Sequence, residues 1–153
     1  MKVVVVGAGS VGRSIAQALL NSGHEVTLVD ERPGSIRVSL VPDAEWVLAD
    51  ASSPSALEEL GVRECDALVA ATGDDKVNLV ASLIAKTEFA VPTVFARANH
   101  TGNEWMYNST WGVDVLLSTP RALTNLVLGG LEDANWQTEA RRSPQLPPPD
   151  PQP

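Results

Sequence analysis

A run of four valines followed at once by three spaced glycines constrains this chain more than any other feature: Met1-Lys2-Val3-Val4-Val5-Val6-Gly7-Ala8-Gly9-Ser10-Val11-Gly12. β-Branched side chains fit a pleated surface covered on both faces, so the valines read as a buried parallel strand. Gly7 allows the tight turn out of that strand. Gly9 lets backbone amides approach a pyrophosphate with no Cβ in the way, and Gly12 lets the following helix pack close to the sheet. That helix aims unpaired N–H groups and its positive dipole end at the phosphates. The spacing matters because it falls between a strand and a helix. The plainer reading is a glycine turn kept only for packing.

A second strand, Glu25-Val26-Thr27-Leu28-Val29, ends at Asp30. A carboxylate there accepts hydrogen bonds from adenosine ribose hydroxyls and repels a 2′-phosphate, which favours NAD(H) or an adenine nucleotide over NADP(H). Arg32 would soften that repulsion. The plainer reading is that Asp30 only caps the turn, so both roles stay open at this point.

Beyond these segments, strands and helices alternate, the pattern of a doubly wound, Rossmann-like parallel α/β sheet. The expected order is a helix over 10–21 with Ile15, Ala16, Leu19 and Leu20 on one face, a short helix over 35–41, and strands over 46–49, 67–70, 93–96 and 113–117. Ser53 as N-cap, Pro54 at the first position and Gly61 as the stop mark another helix. Asp74 and Asp75 open a further one, running to about Lys86, with acids suited to its N-terminus. A last amphipathic helix covers 120–131, with Leu123, Leu126, Val127 and Leu131 at helical spacing. Six strands in one domain, residues 1–132, are therefore expected. Six of the last ten residues are proline, and the apolar pattern fades from Asp133, so 133–153 reads as a disordered tail.

The 153 residues suit a single core, and the net charge of −8 argues against nucleic acid or an anionic membrane surface as a partner. Cys65 is the only cysteine, which points to a reducing, cytoplasmic setting and to a core-edge role for that thiol. The opening residues are strand, not the regions of a signal peptide. No apolar run approaches the length of about eighteen residues needed to span a bilayer. Trp105 and Trp111 read as core or interface fillers.

Further segments carry a family resemblance. Ala49-Asp50-Ala51, then Ala71-Thr72-Gly73-Asp74-Asp75-Lys76-Val77-Asn78-Leu79, then Ala96-Arg97-Ala98-Asn99, then Trp111-Gly112-Val113-Asp114 and Ser118-Thr119-Pro120-Arg121 follow the glycine loop and Asp30 in order. The series resembles the nucleotide-binding KTN/RCK domain of Trk-type potassium-uptake regulatory proteins, over roughly residues 1–131. The resemblance implies a regulator that is not an enzyme. It would sit on the cytoplasmic side of a membrane potassium transporter as a homodimer or higher homo-oligomer, bind NAD(H) or ADP/ATP, and pass ligand-driven movements to the pore. Carried over, it places Gly7, Gly9, Ser10, Val11 and Gly12 around the pyrophosphate and Asp30 with Arg32 at the adenosine ribose. It further places Asp50 and Ala51 along the adenine, and Ala71, Thr72 and Gly73 toward the second ribose or terminal phosphates. Asn78 and Arg97 complete the set at the strand ends. Each has a plainer alternative: a loop-bonding amide for Asn78, and a salt bridge to Asp74 or Asp75 for Arg97.

This chain departs from the family in two respects. Some relatives carry arginine inside the glycine loop, where Ser10 stands here, and its absence tilts the ligand toward NAD(H), with ATP/ADP as the competitor. Nothing after Leu131 resembles the smaller C-terminal domain that relatives carry, so the sequence is either part of a longer protein or a single-domain member. Two other functional classes compete. A free-standing nucleotide sensor for another partner would present the same site. A dehydrogenase cofactor domain would need a positioned acid or base. Only His24, at the far end of the sheet, and His100, at the crevice end, are on offer, and Tyr107 lacks the lysine four positions on that would activate it.

Overall fold

Strand β1 (Lys2–Val6) lies at the centre of the sheet, which explains why its sequence is apolar on both faces: four of its five residues are buried. It pairs in parallel with β2 (Glu25–Asp30) on one side and β4 (Ala67–Ala70) on the other. A computed structural model describes the backbone of residues 1–142 and the side chains of residues 1–133. With β3 (Glu45–Leu48), β5 (Thr93–Ala98) and β6 (Val115–Ser118), the strands form one all-parallel sheet of order β3-β2-β1-β4-β5-β6. The order reverses between β1 and β4, and the C-terminal strand ends on either side of that reversal are where ligands bind in open α/β sheets.

Alternate residues of the central strands feed two cores, as the two-residue period of a strand demands. Val4, Val6, Leu68, Ala70, Val94 and Ala96 pack with Leu57 of α2 (Pro54–Glu59) and Leu79, Ala81 and Ala85 of α3 (Asp75–Thr87). Val3, Val5, Leu28 and Val69 pack on the opposite face with Ala16, Ile15, Leu19 and Leu20 of α1 (Ser10–Asn21). Leu28, Leu57 and Leu68 are fully buried, each worth roughly 1.5–3 kcal/mol relative to exposure.

Several local expectations are corrected. Residues 35–41 form no α-helix; two short 3₁₀ turns (Pro33–Ser35 and Val38–Leu40) stand there. Pro33 and Gly34 break the segment, β-branched Ile36, Val38 and Val41 disfavour a helix, and Val41 is drawn into the core while its carbonyl accepts from Trp46 Nε1 at 2.9 Å. Ser53 holds the N-cap position of α2 without a capping bond, because its hydroxyl pairs with that of Ser55. Strand β6 begins at Val115, since Gly112 turns through a positive φ of 72° and the Asp114 carboxylate accepts from Val94 N. Trp105 is 75% exposed and fills no core in this chain, whereas Trp111 packs against one.

The chain divides into two units, residues 1–120 and 121–153. The second carries most of helix α4 (Thr119–Arg142), which runs well past Leu131. Apolar periodicity ends there, but no proline or glycine occurs between Gly130 and Pro144 to stop a helix. The part of the expected tail over 143–153 lies outside the described residues. Leu123, Leu126, Val127, Leu128 and Leu131 of α4 are exposed.

Candidate functional site

The loop between β1 and α1 uses its glycines for two different reasons. Gly7 turns through φ +100°, and a Cβ there would come within 2.8 Å of Thr72 N. A Cβ on Gly12 would stand 1.7 Å from the Gly7 carbonyl oxygen. Both glycines are therefore required by the fold itself. Gly9 is not: its φ of −71° and ψ of −173° suit any residue, and a Cβ there would meet nothing within 4 Å. Gly9 is the N-cap of α1, yet no side chain caps that helix and no acid lies in its first turn. The leading N–H groups of α1 thus present their partial positive charge to the open space above Gly9. Ser10 is exposed, Val11 half-buried and Gly12 buried along this turn. Arg13, one turn in, donates from Nη1 to the Ala8 carbonyl at 2.6 Å.

Asp30 closes the other side of the loop. Its buried carboxylate accepts from Ala8 N at 2.9 Å through Oδ2, and from Arg32 N at 2.9 Å and Arg32 Nε at 3.3 Å through Oδ1. Burial pushes the carboxyl up, but the Arg32 and Ala8 hydrogen bonds with the Arg32 charge outweigh it and hold the pKa below the usual carboxylate range. The turn-capping role is thus present, through Arg32 N. It does not exhaust the group, because Oδ2 makes one bond and a carboxylate oxygen accepts about two. Asp50 accepts from both the N–H and the hydroxyl of Ser52, which lowers its pKa against a small effect of burial.

A cleft of about 370 Å³ opens here, lined by Val6, Gly7, Val29, Asp30, Glu31, Arg32, Ala49, Asp50, Ala51, Thr72, Gly73, Asp74 and Val77. The structure therefore gathers Gly7, Asp30, Arg32, Asp50, Ala51, Thr72 and Gly73 of the expected site around one cleft. Gly9, Ser10, Val11, Gly12, Ala71, Asn78 and Arg97 do not line it. Val6, Val29, Glu31, Ala49, Asp74 and Val77 also line it and were not expected there, although each lies within a few positions of an expected site residue.

Asn78 and Arg97 act behind the cleft. Asn78 is fully buried, and its amide makes four hydrogen bonds: Oδ1 accepts from Thr72 N and Thr72 Oγ1, and Nδ2 donates to the carbonyls of Thr72 and Arg97. The loop-bonding alternative is the observed one. Arg97 donates from Nε to Thr119 Oγ1 at 2.9 Å, and among the described residues it forms no ion pair with Asp74 or Asp75. Those acids are taken elsewhere. Asp74 caps α3 by accepting from Lys76 N and Val77 N. Buried Asp75 accepts from the Asn99 N–H and amide, His100 N and the Asn103 amide. Burial raises its carboxyl, but the Asn103 and Asn99 bonds hold it below the usual range.

The remaining chemistry lies apart from this cleft. His100 is exposed. His24 and Cys65 line a depression of about 440 Å³ at the opposite edge of the sheet. Burial, with the Asp66 charge, pushes the Cys65 thiol up to about 11, so it is neutral and a poor nucleophile at pH 7. Among the described residues no group of three His, Cys, Asp or Glu side chains is arranged to hold a metal ion, and no helix is long and apolar enough to cross a membrane.

Similarity to known proteins agrees with this arrangement. Residues 3–119 match the TrkA-N domain family. The chain is 54% identical over 127 residues to the Trk system potassium uptake protein TrkA of Mycobacterium tuberculosis, covering 83% of this chain and 58% of that protein. It is 31% identical over 122 residues to a TrkA homolog of Methanothermobacter thermautotrophicus, covering 79% and 56%. It thus spans a little over half the length of these relatives. Among solved structures, the TrkA-N domain of the inner membrane protein ybaL from Escherichia coli superposes with a TM-score of 0.74 at 16% identity, covering 85% of this chain and 96% of that one. The GsuK channel bound to NAD gives 0.75 at 22% identity, covering 88% and 24%. The AMP-bound C-terminal domain of Kef from Shewanella denitrificans gives 0.72 at 22% identity, covering 86% and 80%. The Rossmann-like fold, the ordered motifs and the matched residues lead to one conclusion: the chain belongs to the TrkA-N domain family.

Proposed function

We propose that this domain binds NAD(H), with ADP and ATP as competitors, and regulates a membrane potassium transporter through ligand-dependent conformational change. One observation carries the nucleotide reading. The first turn of α1 is left uncapped over Gly9, a glycine with no demand from the fold, beside a buried carboxylate with acceptor capacity to spare. That is a cradle suited to a pyrophosphate and a ribose. The residues fit a dinucleotide in named roles: α1 N–H groups at the phosphates, Asp30 at the ribose hydroxyls, Asp50 and Ala51 along the base, and the Thr72–Gly73 loop on the far wall.

Bound nucleotide supplies binding free energy here, not bond-making chemistry. Asp30 joins the glycine loop to β2, and Asn78 joins the Thr72 loop to β5, so the chain's own hydrogen bonds hold both walls of the cleft. Ligand favours whichever arrangement of domain or subunits binds it better, by no more than its difference in affinity between them. The relatives named for potassium uptake support a transporter as the partner and the inner face of the membrane as the place of action. The exposed apolar side chains of α4 support a homodimer, which buries them against a second copy.

The test is a thermal-shift and calorimetry panel of NADH, NAD, ADP, ATP and NADPH. Saturation at about 100 times Kd adds roughly 2.7 kcal/mol, a shift of several degrees for a domain of this size. A shift with NADH and none with NADPH is the expected result. No shift with any of the five overturns the reading.

A further inference from the structure

The geometry points to Arg13 as the residue that meets the nucleotide's phosphate charge, an inference that rests on the nucleotide reading above. The charged side chains that line the cleft are mostly acids. Asp30, Glu31, Asp50 and Asp74 line it against a single cation, Arg32, whose guanidinium is engaged with Asp30 at 3.3 Å. An uncapped helix end offers only partial charge beside these carboxylates, so a full positive charge at the glycine loop would strengthen its hold on a pyrophosphate.

Arg13 stands there. Its Nη1 lies 2.6 Å from the Ala8 carbonyl, within the loop between Gly7 and Gly9, so the guanidinium is held at the loop and does not swing through solvent. That bond uses one of five N–H donors. The ion pairs among the described residues join Lys2 to Glu64, Arg32 to Asp30 and Lys86 to Asp114, which leaves the Arg13 charge without a carboxylate partner. A planar fork of donors with unmatched charge is the chemistry that recognises phosphate oxygens. Bracing of the loop alone would account for the Ala8 bond, but a neutral amide donor would serve that purpose equally.

The experiment compares adenosine, ADP and NADH binding to the wild-type chain, Arg13→Gln and Arg13→Lys, by calorimetry and by NMR titration for the weak ligand, at low and high salt. Arg13→Gln retains a donor for Ala8 and loses the charge. It is expected to melt with the wild type, to bind ADP and NADH about tenfold more weakly, to bind adenosine unchanged, and to show a shallower salt dependence for ADP. Arg13→Lys, which keeps the charge but not the planar fork, is expected to bind between the wild type and the glutamine variant. Equal weakening of adenosine and ADP, unchanged ADP binding, or a lysine variant as weak as the glutamine one overturns the assignment. A wild-type chain that binds neither ADP nor NADH instead removes the nucleotide reading itself, and this inference with it.

Discussion

Two strand–helix junctions lie side by side at the C-terminal edge of the sheet, β1 into α1 and β4 into α3, and they are finished in opposite ways. At α3 the chain satisfies its own helix end. Asp74 accepts from Lys76 N and Val77 N, and buried Asn78 spends its whole amide on Thr72 and Arg97. At α1 the N-cap is a glycine, no side chain caps the first turn, and a Cβ on Gly9 would meet nothing within 4 Å. Hydrogen bonding at helix ends is worth about 1 kcal/mol, so an end left open beside one so thoroughly closed marks where a ligand would complete the structure. In the proposed reading the closed junction is the rigid wall, and the open one is where the phosphates would sit.

Substitutions can break this contrast at graded cost. Gly12→Ala drives a methyl to 1.7 Å from the Gly7 carbonyl oxygen, a backbone atom that cannot swing aside as a side chain could. It should lower the unfolding free energy by about 4 kcal/mol or more, or prevent folding, as read by chemical denaturation. Asn78→Ala strips the closed junction of its knot and leaves the half-buried Thr72 N–H without its partner. About 3 kcal/mol is expected, with the Thr72–Gly73 loop showing faster amide exchange. Asp74→Ala removes only the α3 cap, costing about 1 kcal/mol. Because that cap belongs to the closed junction, nucleotide affinity should not fall.

The smallest effect is carried by pH. The folded Asp30 carboxyl lies below its unfolded value of about 3.9, so its contribution is present above about pH 4 and is lost as pH falls through the folded pKa. Asp30→Asn should flatten the acid limb of a stability profile relative to wild type and leave the neutral limb parallel to it.

How much of this was legible beforehand follows from which residues act locally. Helix α1 starts and stops where Gly9 and Gly23 predict, and β1 is central because four adjacent valines can be buried on both faces only there. The Ser35–Val41 helix failed because the pull of Val41 into the core is tertiary. Helix α4 overran its expected end because periodicity records the apolar face, while the stop signal lies further on, at Pro144. Of the residues that line the cleft, Asp30 was legible from the end of its strand, whereas Asp50 and Thr72 came from the family resemblance. The partner of Arg97 was not legible, since Thr119 lies twenty-two positions away across β6. Nor does a glycine reveal in sequence whether protein or open space lies beside it, so Gly12 and Gly9 look alike until the packing is known.

That distinction supplies the most direct test of the account. Gly9→Ala introduces a methyl that meets no protein atom within 4 Å, at a backbone conformation alanine adopts freely. Its unfolding free energy should stay within about 1 kcal/mol of wild type, while its affinity for NADH, measured by calorimetry, should fall about tenfold or more as the methyl holds the phosphates off the α1 amides. A stable Gly9→Ala protein that binds NADH as tightly as wild type would contradict the account, and the open junction would then be no ligand site.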